Sequence, residues 1–378
     1  MTMPKRLFAI LKKEFKELLR DPLYLTFALI VPVVIIILMG YGLILDVKNI
    51  PVSFIDHDRT QLSREYRFSF TNSEYFRFYK LINSYKEAEE LIQSGECRIV
   101  VAIPPDFSRK LYGGKPVQVQ ILIDGSFPMR AEVMKGYVSA INMQFNQKIL
   151  KEYADRQGIS QLNFPVSVET RAWYNPALES KNFILPGELV TTLMFYSVLL
   201  ASLIVVREKE SGSIFNLYCS PVKSWEVVFG KAIPYVSVSF VTYLIIFALT
   251  VGLFQTKFTG NFLFLTFSTI VYLFCTVGVG VFISILAKTQ ITAMLIAFLG
   301  SIIPSFIYSG YFSPITSMSA TGQLISKTIP ASYFMVIVRG VYLKGIGIES
   351  FMGDLISLFI YASIVYGLAI LSFRKRIG

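Results

Sequence analysis

Three aspartates and one histidine are the residues in this chain most open to a catalytic or metal-binding reading. Asp56 and Asp58 flank His57, and Asp124 closes a second apolar stretch. Acid groups at strand ends can hold a metal or move a proton, but either task needs convergent partners. Here His57 is the single histidine. Cys97, Cys219 and Cys275 lie far apart, with neither metal nor disulfide spacing. Turn closure and loop capping are the simpler roles for the aspartates, and His57 reads as a solvated loop residue. Phosphate chemistry fares no better. Gly113-Gly114-Lys115-Pro116 lacks the spacing and the following Ser/Thr of a nucleotide loop, and Pro116 removes a backbone donor. Catalytic, cofactor and metal sites are therefore not expected in this chain.

The elements around these residues belong to a membrane protein. Of 378 residues, 53% are hydrophobic and only 16% charged, against about 25% charged in a soluble domain. The net charge of +11 has to be located before it means anything. Between 46 and 183, eighteen Lys/Arg face sixteen Asp/Glu. The excess sits beside apolar runs, at Lys5, Arg6, Lys12, Lys13, Lys16 and Arg20 and again at Arg374, Lys375 and Arg376. That distribution indicates a membrane surface, not a nucleic acid.

Spanning the hydrocarbon core takes about 20 apolar residues. Such runs occupy 24–45, 184–206, 231–254, 262–286, 291–308 and 354–373. Six spans place every basic cluster on one side, which the positive-inside rule makes cytoplasmic, with both termini inside. The segment 1–23 carries Leu7, Leu11, Phe15 and Leu18 at helical spacing with lysines opposite, the pattern of an interfacial helix. Asp21-Pro22 breaks it from the first span. Residues 329–343 are apolar but short, open with Pro330 and contain Arg339. Segment 309–353 is therefore expected as an external re-entrant stretch, and 374–378 as a cytoplasmic tail.

Residues 46–183 read as an α/β domain inserted outside the cytoplasm. Strands are expected at 52–56, 98–103 and 117–124. Helices are expected at 85–95, ending on Gly95, and at 128–156, with Met129, Val133, Tyr137 and Ile141 on one face. The spans themselves hold few ionisable groups: Glu188, Asp354 and Lys231 all sit near their ends. Ion-driven carriers usually bury such groups at mid-membrane. Energy for uphill movement is thus expected through the cytoplasmic segment 207–230, in which a charged helix end runs into Gly212 and then a short amphipathic helix stopped by Pro221. Sequence physics alone leaves open that this is a simple polar turn.

At this segment the chain resembles the membrane subunits of type-2 ABC exporters, the ABC-2 type permeases. Arg207, Glu208, Glu210, Gly212, Ser213, Leu217 and Pro221 match the motif those permeases carry after their second span, with Ser213 in place of the more usual Thr. Tyr174-Asn175-Pro176, Phe183 to Gly187, Tyr308 to Pro314, Ile329-Pro330 and Arg339-Gly340 follow in order. The similarity covers essentially the whole chain, and the long insertion after the first span resembles the bacterial multidrug-type branch.

The resemblance implies a permease subunit in the cell inner membrane, paired with a second copy or a paralogue. It implies a separate ATPase subunit that carries ATP and Mg and docks on 207–221, and it leaves room for a periplasmic adaptor protein. Arg207, Glu208 and Glu210 would fix the coupling helix. Gly310, Phe312, Pro314, Pro330 and Arg339 would belong to the re-entrant mouth. Phe195, Tyr196, Phe240, Tyr243, Phe247, Tyr272 and Phe274 are the aromatic candidates for a path taking a hydrophobic or amphipathic drug or lipid, although helix packing and interfacial anchoring are the ordinary roles for each. A membrane-anchored receptor or scaffold is the alternative; it has no need of the 207–221 motif.

Overall fold

The computed structural model describes residues 3–42, 48–126, 128–156, 173–175 and 179–373. Residues 43–45 of the expected first span, 46–47 and 157–172 of the expected insertion, Pro176 and the tail 374–378 lie outside the described residues. The chain divides into two compact units, Leu45–Arg171 and the remainder, Met1–Ile44 with Ala172–Gly378.

Among the described residues of the larger unit six helices are long and apolar enough to cross a membrane: Pro22–Gly42, Lys181–Glu210, Ser224–Leu253, Phe262–Leu286, Gln290–Tyr308 and Ile348–Ser372. These are the six expected spans, with ends shifted by a few residues. A further pair, Ala320–Ser326 and Pro330–Lys344, is bent by 88°. Pro330, at the first turn of the second arm, supplies the break. Neither arm reaches the ~20 residues a span requires.

The fourth span runs along the second and the sixth. Small residues let it come close. A Cβ on Gly280 would stand 2.5 Å from both Ala201 Cβ and the Val198 carbonyl oxygen, so any side chain there forces the helices apart.

The second span is interrupted. Its helix stops at Ala201 and resumes at Val206. The amides of Val205 and Val206, freed by the interruption, both donate to Ser284 Oγ of the fourth span, at 2.8 and 2.9 Å. Lys209, one turn on, donates to the carbonyls of Ser284 (3.3 Å), Ile285 and Ala287 (3.0 Å). It thereby covers the end of the fourth span, where carbonyls lack helical partners.

The smaller unit is α/β. Its sheet has strand order β2-β1-β3-β4, with β1 (Ile50–Asp56), β2 (Phe76–Ile82), β3 (Ile99–Ile103) and β4 (Gln120–Ile123). β1 pairs in parallel with both β2 and β3, and β4 is antiparallel to β3. β2 was not expected. It is an edge strand whose interior residues are all exposed, so it lacks an apolar face to read. Helices Gln61–Thr71 and Phe107–Tyr112 were likewise unforeseen. The helix Pro128–Arg156 packs on the sheet through Met134, Val138, Ile141, Phe145 and Ile149, with the expected Tyr137 half-buried at the edge of the same core. Helix Tyr85–Gln93 is capped by Ser84 Oγ accepting from the Glu87 amide at 3.2 Å, and Gly95 follows with φ +76°.

The three aspartates close turns. Asp56 Oδ1 accepts from the amides of Asp58 (3.1 Å) and Arg59 (2.9 Å). Asp58 Oδ2 accepts from the hydroxyls of Thr60 and Ser108, each at 2.6 Å. Asp124 accepts from the Ser126 amide at 2.9 Å and pairs with Arg98. His57 is exposed.

Candidate functional site

The amphipathic helix Met3–Arg20 lies along the third span. Its buried positions are Ile10, Glu14 and Leu18; Leu7, Leu11 and Phe15 are half-buried. The stripe is therefore rotated from the expected apolar face, and its centre is a carboxylate. Glu14, 3% exposed, accepts from Lys231 Nζ at 2.6 Å. Lys231, 1% exposed, also reaches Glu208 Oε1 at 2.9 Å, and Lys13 donates to the same oxygen at 2.6 Å. Isolated charges are not tolerated in such a place, so each fixes the others. Burial works against the Lys13 charge, but Glu208, Glu14 and Glu17 outweigh it and hold its ammonium well above the usual lysine range.

Arg207 and Glu210 tie the same segment outward. Arg207 Nη1 stands 2.9 Å from Asp21 Oδ2. Asp21 is also the cap of the first span, accepting from the Tyr24 amide at 3.0 Å. That amide first, and Arg207 next, hold its carboxyl below the usual range. Glu210 accepts from both the backbone (2.8 Å) and the side chain of Gln290, at the start of the fifth span. The Pro221 carbonyl accepts from Arg6 at 2.6 Å.

Between these anchors the chain reverses. Gly212 has φ +74°, a left-handed conformation that suits glycine. Ser213 Oγ meets Ser211 Oγ at 2.8 Å. A short helix, Ile214–Tyr218, follows. Ile214 is buried, Leu217 half-buried, and Phe215 is 55% exposed. The seven motif residues thus fall on one continuous feature, whose root is anchored through the buried Glu208 and the exposed Arg207 and Glu210 and whose tip is bare. The sequence reading had placed Lys231 only near a span end, and it had not singled out Glu14 or Gln290. Glu14 interrupts an apolar stripe, and that was the available signal.

The aromatic candidates lie on the second, third and fourth spans. Tyr243 and Tyr272 are fully buried among helices of the same chain. Tyr272 stacks on Phe334 at 4.2 Å between ring centres and donates to the Val190 carbonyl at 3.0 Å. Tyr243 contacts Phe240, Phe247 and Thr266. Tyr196 is buried, Phe195 packs on Phe298, and Phe274 packs on Tyr366.

Around the bent pair, Arg339 donates to the carbonyls of Gly310 (2.6 Å) and Tyr311 (2.8 Å) and lies 3.9 Å over the Phe183 ring. Gly310 has φ +87°, and Pro314 leads a single 3-10 turn. Phe312 is 57% exposed. Arg339 therefore holds Gly310 and Tyr311, at the start of the re-entrant stretch, against the second arm.

The sequence model of the family described as "ABC-2 family transporter protein" matches residues 23–371. The chain is 29% identical to the probable multidrug ABC transporter permease YbhR of Escherichia coli (strain K12), over 98% of this chain and 99% of that protein. It is 28% identical to the probable multidrug ABC transporter permease YbhS of the same strain, over 90% and 89%. It is 23% identical to ABC transporter G family member 20 of Dictyostelium discoideum, over 90% of this chain but 46% of that longer protein.

Proposed function

The chain belongs to the ABC-2 transporter family, and from that premise we propose that it is the permease subunit of an ATP-driven exporter, worked by a separate ATPase through residues 207–221. The observation that carries this reading is the Glu14–Lys231–Glu208 cluster. It joins the root of the 207–221 loop to the third span and to the amphipathic helix, while Arg207 and Glu210 join it to the first and fifth. A push on the exposed tip at Phe215 therefore reaches four spans with little slack. A simple polar turn has no need of that bracing.

In this reading the loop and both termini face the cytoplasm, and the α/β unit stands on the far side of the inner membrane. ATP and Mg belong to the ATPase. Six spans are few to enclose a substrate path, so two permease copies, or this chain and a paralogue, form the channel between them. The substrate is hydrophobic or amphipathic. The half-buried faces of Phe195, Phe240, Phe247 and Phe274 are better placed to meet it than Tyr243 or Tyr272, which would first have to leave the packed interior.

Substitution of Phe215 tests the proposal. An exposed aromatic at the centre of a docking surface is worth about 2 kcal/mol or more. Phe215→Asp is expected to weaken ATPase binding at least tenfold and to abolish ATP-dependent transport in proteoliposomes, with the melting temperature of the permease unchanged. Wild-type transport by that variant would overturn the reading.

A further inference from the structure

The α/β unit has a crevice of about 240 Å³ outside the carboxyl ends of β1 and β2, lined by Asp56, Arg59, Arg64, Arg67 and residues 81–83. We propose that this crevice binds a phosphate monoester, gripped by the three arginines.

Topology makes the crevice. β1 leads into helix Gln61–Thr71, which packs on one face of the sheet through Leu62, Tyr66 and Phe70. β2 leads into helix Tyr85–Gln93, which packs on the other face through Ala88, Leu91 and Ile92. The chain therefore leaves these two neighbouring parallel strands in opposite directions, and the gap between its two exits stays open. Gaps of this kind, at the carboxyl ends of the strands, are where open α/β sheets bind ligands.

Charge sets the sign of the ligand. Among the described residues Asp56 is the one acid in the lining. Its Oδ1 is taken by two backbone amides. Its Oδ2 accepts from Ser63 Oγ at 2.9 Å and stands 3.3 Å from Arg67 Nε. Asp56 thus balances one guanidinium. Arg59 and Arg64 meet no carboxylate among the described residues. The acids beside the crevice are engaged elsewhere: Glu65 pairs with Lys148 at 2.7 Å and Glu87 with Lys80 at 2.6 Å. Three guanidiniums against one carboxylate leave a charge of +2 on the lining.

Charge and shape together select the class. A phosphate monoester carries about −1.5 to −2 at pH 7, which matches the lining, whereas a simple carboxylate supplies half of that. Guanidinium forks also fit phosphate oxygens two at a time. Arg67 is set in advance, since its side chain is 19% exposed and its Nε is held against Asp56; it loses little freedom on binding. Arg59 and Arg64 are exposed and can close from the rim. The lining has no aromatic ring on which a base could stack, so a compact ester fits better than a nucleic-acid strand. This inference concerns the α/β unit alone and does not rest on the exporter reading.

The test is titration calorimetry on the full chain in dodecyl maltoside, a detergent without phosphate. Glycerol 3-phosphate stands for a free phosphate ester, dioctanoyl phosphatidic acid for a lipid headgroup of the same chemistry, and acetate for a simple carboxylate. Saturable binding of glycerol 3-phosphate is expected, weakened by added salt. Arg59→Ala and Arg64→Ala should each weaken it at least about tenfold, and Arg64→Lys should restore part of the loss. Both residues are exposed, so the melting temperature should not move. Lys151→Ala removes the same charge from an exposed position outside the crevice and should leave the affinity nearly unchanged. Binding of both phosphate compounds upholds the site with a free ester as sufficient ligand; binding of the lipid alone upholds it with a membrane lipid as ligand. Saturable binding of neither, equal binding of acetate, or equal effects of Lys151→Ala and Arg64→Ala would overturn the inference.

Discussion

Glu14 and Lys231 are separated by 217 residues of chain and by 2.6 Å in space. Both are almost wholly enclosed, and Glu208 completes the group. Removing one partner of a buried pair costs about 3–5 kcal/mol, because the other charge is left without compensation, whereas replacing both partners by apolar residues is often close to neutral. Lys231→Ala is therefore expected to lower stability by about that amount. Lys231→Met combined with Glu14→Leu should recover most of it, since Glu208 keeps Lys13. Thermal unfolding in one detergent, compared across the wild type and the two variants, gives the answer. Equal stability of the single variant and the wild type would show that the cluster is not a clamp.

Ser284 offers a second, independent measurement. Its hydroxyl serves the Val205 and Val206 amides where the second span is interrupted. Ser284→Ala leaves two buried donors unmet, and each unmet group costs roughly 1–3 kcal/mol. The expected loss is about 2–6 kcal/mol, with faster amide exchange confined to residues near 202–206. Exchange spread evenly over the whole bundle would contradict the local role assigned to the serine.

Acid should loosen the turn around Asp58 in the α/β unit. Burial raises the proton affinity of Asp58, but hydrogen bonds from the Ser108 and Thr60 side chains and from the Ser108 amide outweigh it and hold its carboxyl below the usual range. A carboxyl depressed in the folded state contributes stability that is complete above its unfolded value, about 3.9, and is lost as pH falls through the folded value. Hydrogen exchange of peptides covering 56–60 and 106–112 should accelerate below about pH 4. Asp58→Asn should show raised exchange at neutral pH and little further change on acidification.

Sidedness can be read directly. Ser84 and Lys223 are both exposed. Cysteines placed there, in a chain cleared of Cys97, Cys219 and Cys275, should react with an impermeant maleimide from opposite faces of sealed vesicles. Labelling from one face would invert the proposed topology of the α/β unit.

The six spans could be read from the sequence because each is an apolar run close to or beyond the ~20 residues that cross the hydrocarbon core, with few charges inside it, a one-dimensional property. The helix 128–156 was legible for a similar reason, a long 3.6-residue period. β2 was not, because an edge strand with Arg77 and Lys80 pointing to solvent has no buried face to mark it. The interruption at 202–205 was also invisible: nothing in Ser202 or Ile204 announces it, and its stabiliser, Ser284, comes from another span. The 207–221 motif stood out through its resemblance to that of the ABC-2 permeases, since its residue types alone are also those of a polar turn. What it touches did not, since Glu14, Lys231 and Gln290 acquire their roles only when distant segments meet.

That same meeting imposes an order on biogenesis. A chain is made from its N-terminus, so Glu14 and then Glu208 reach the membrane surface before Lys231 has been synthesised. Until the third span emerges, two carboxylates share Lys13 and wait at the edge of an apolar phase where unpaired charge is expensive. The amphipathic helix can settle against the bundle only once residue 231 arrives. Lys231 is thus the last member of the cluster to arrive: a chain halted before it, or one whose third span fails to insert, leaves Glu14 and Glu208 with Lys13 alone.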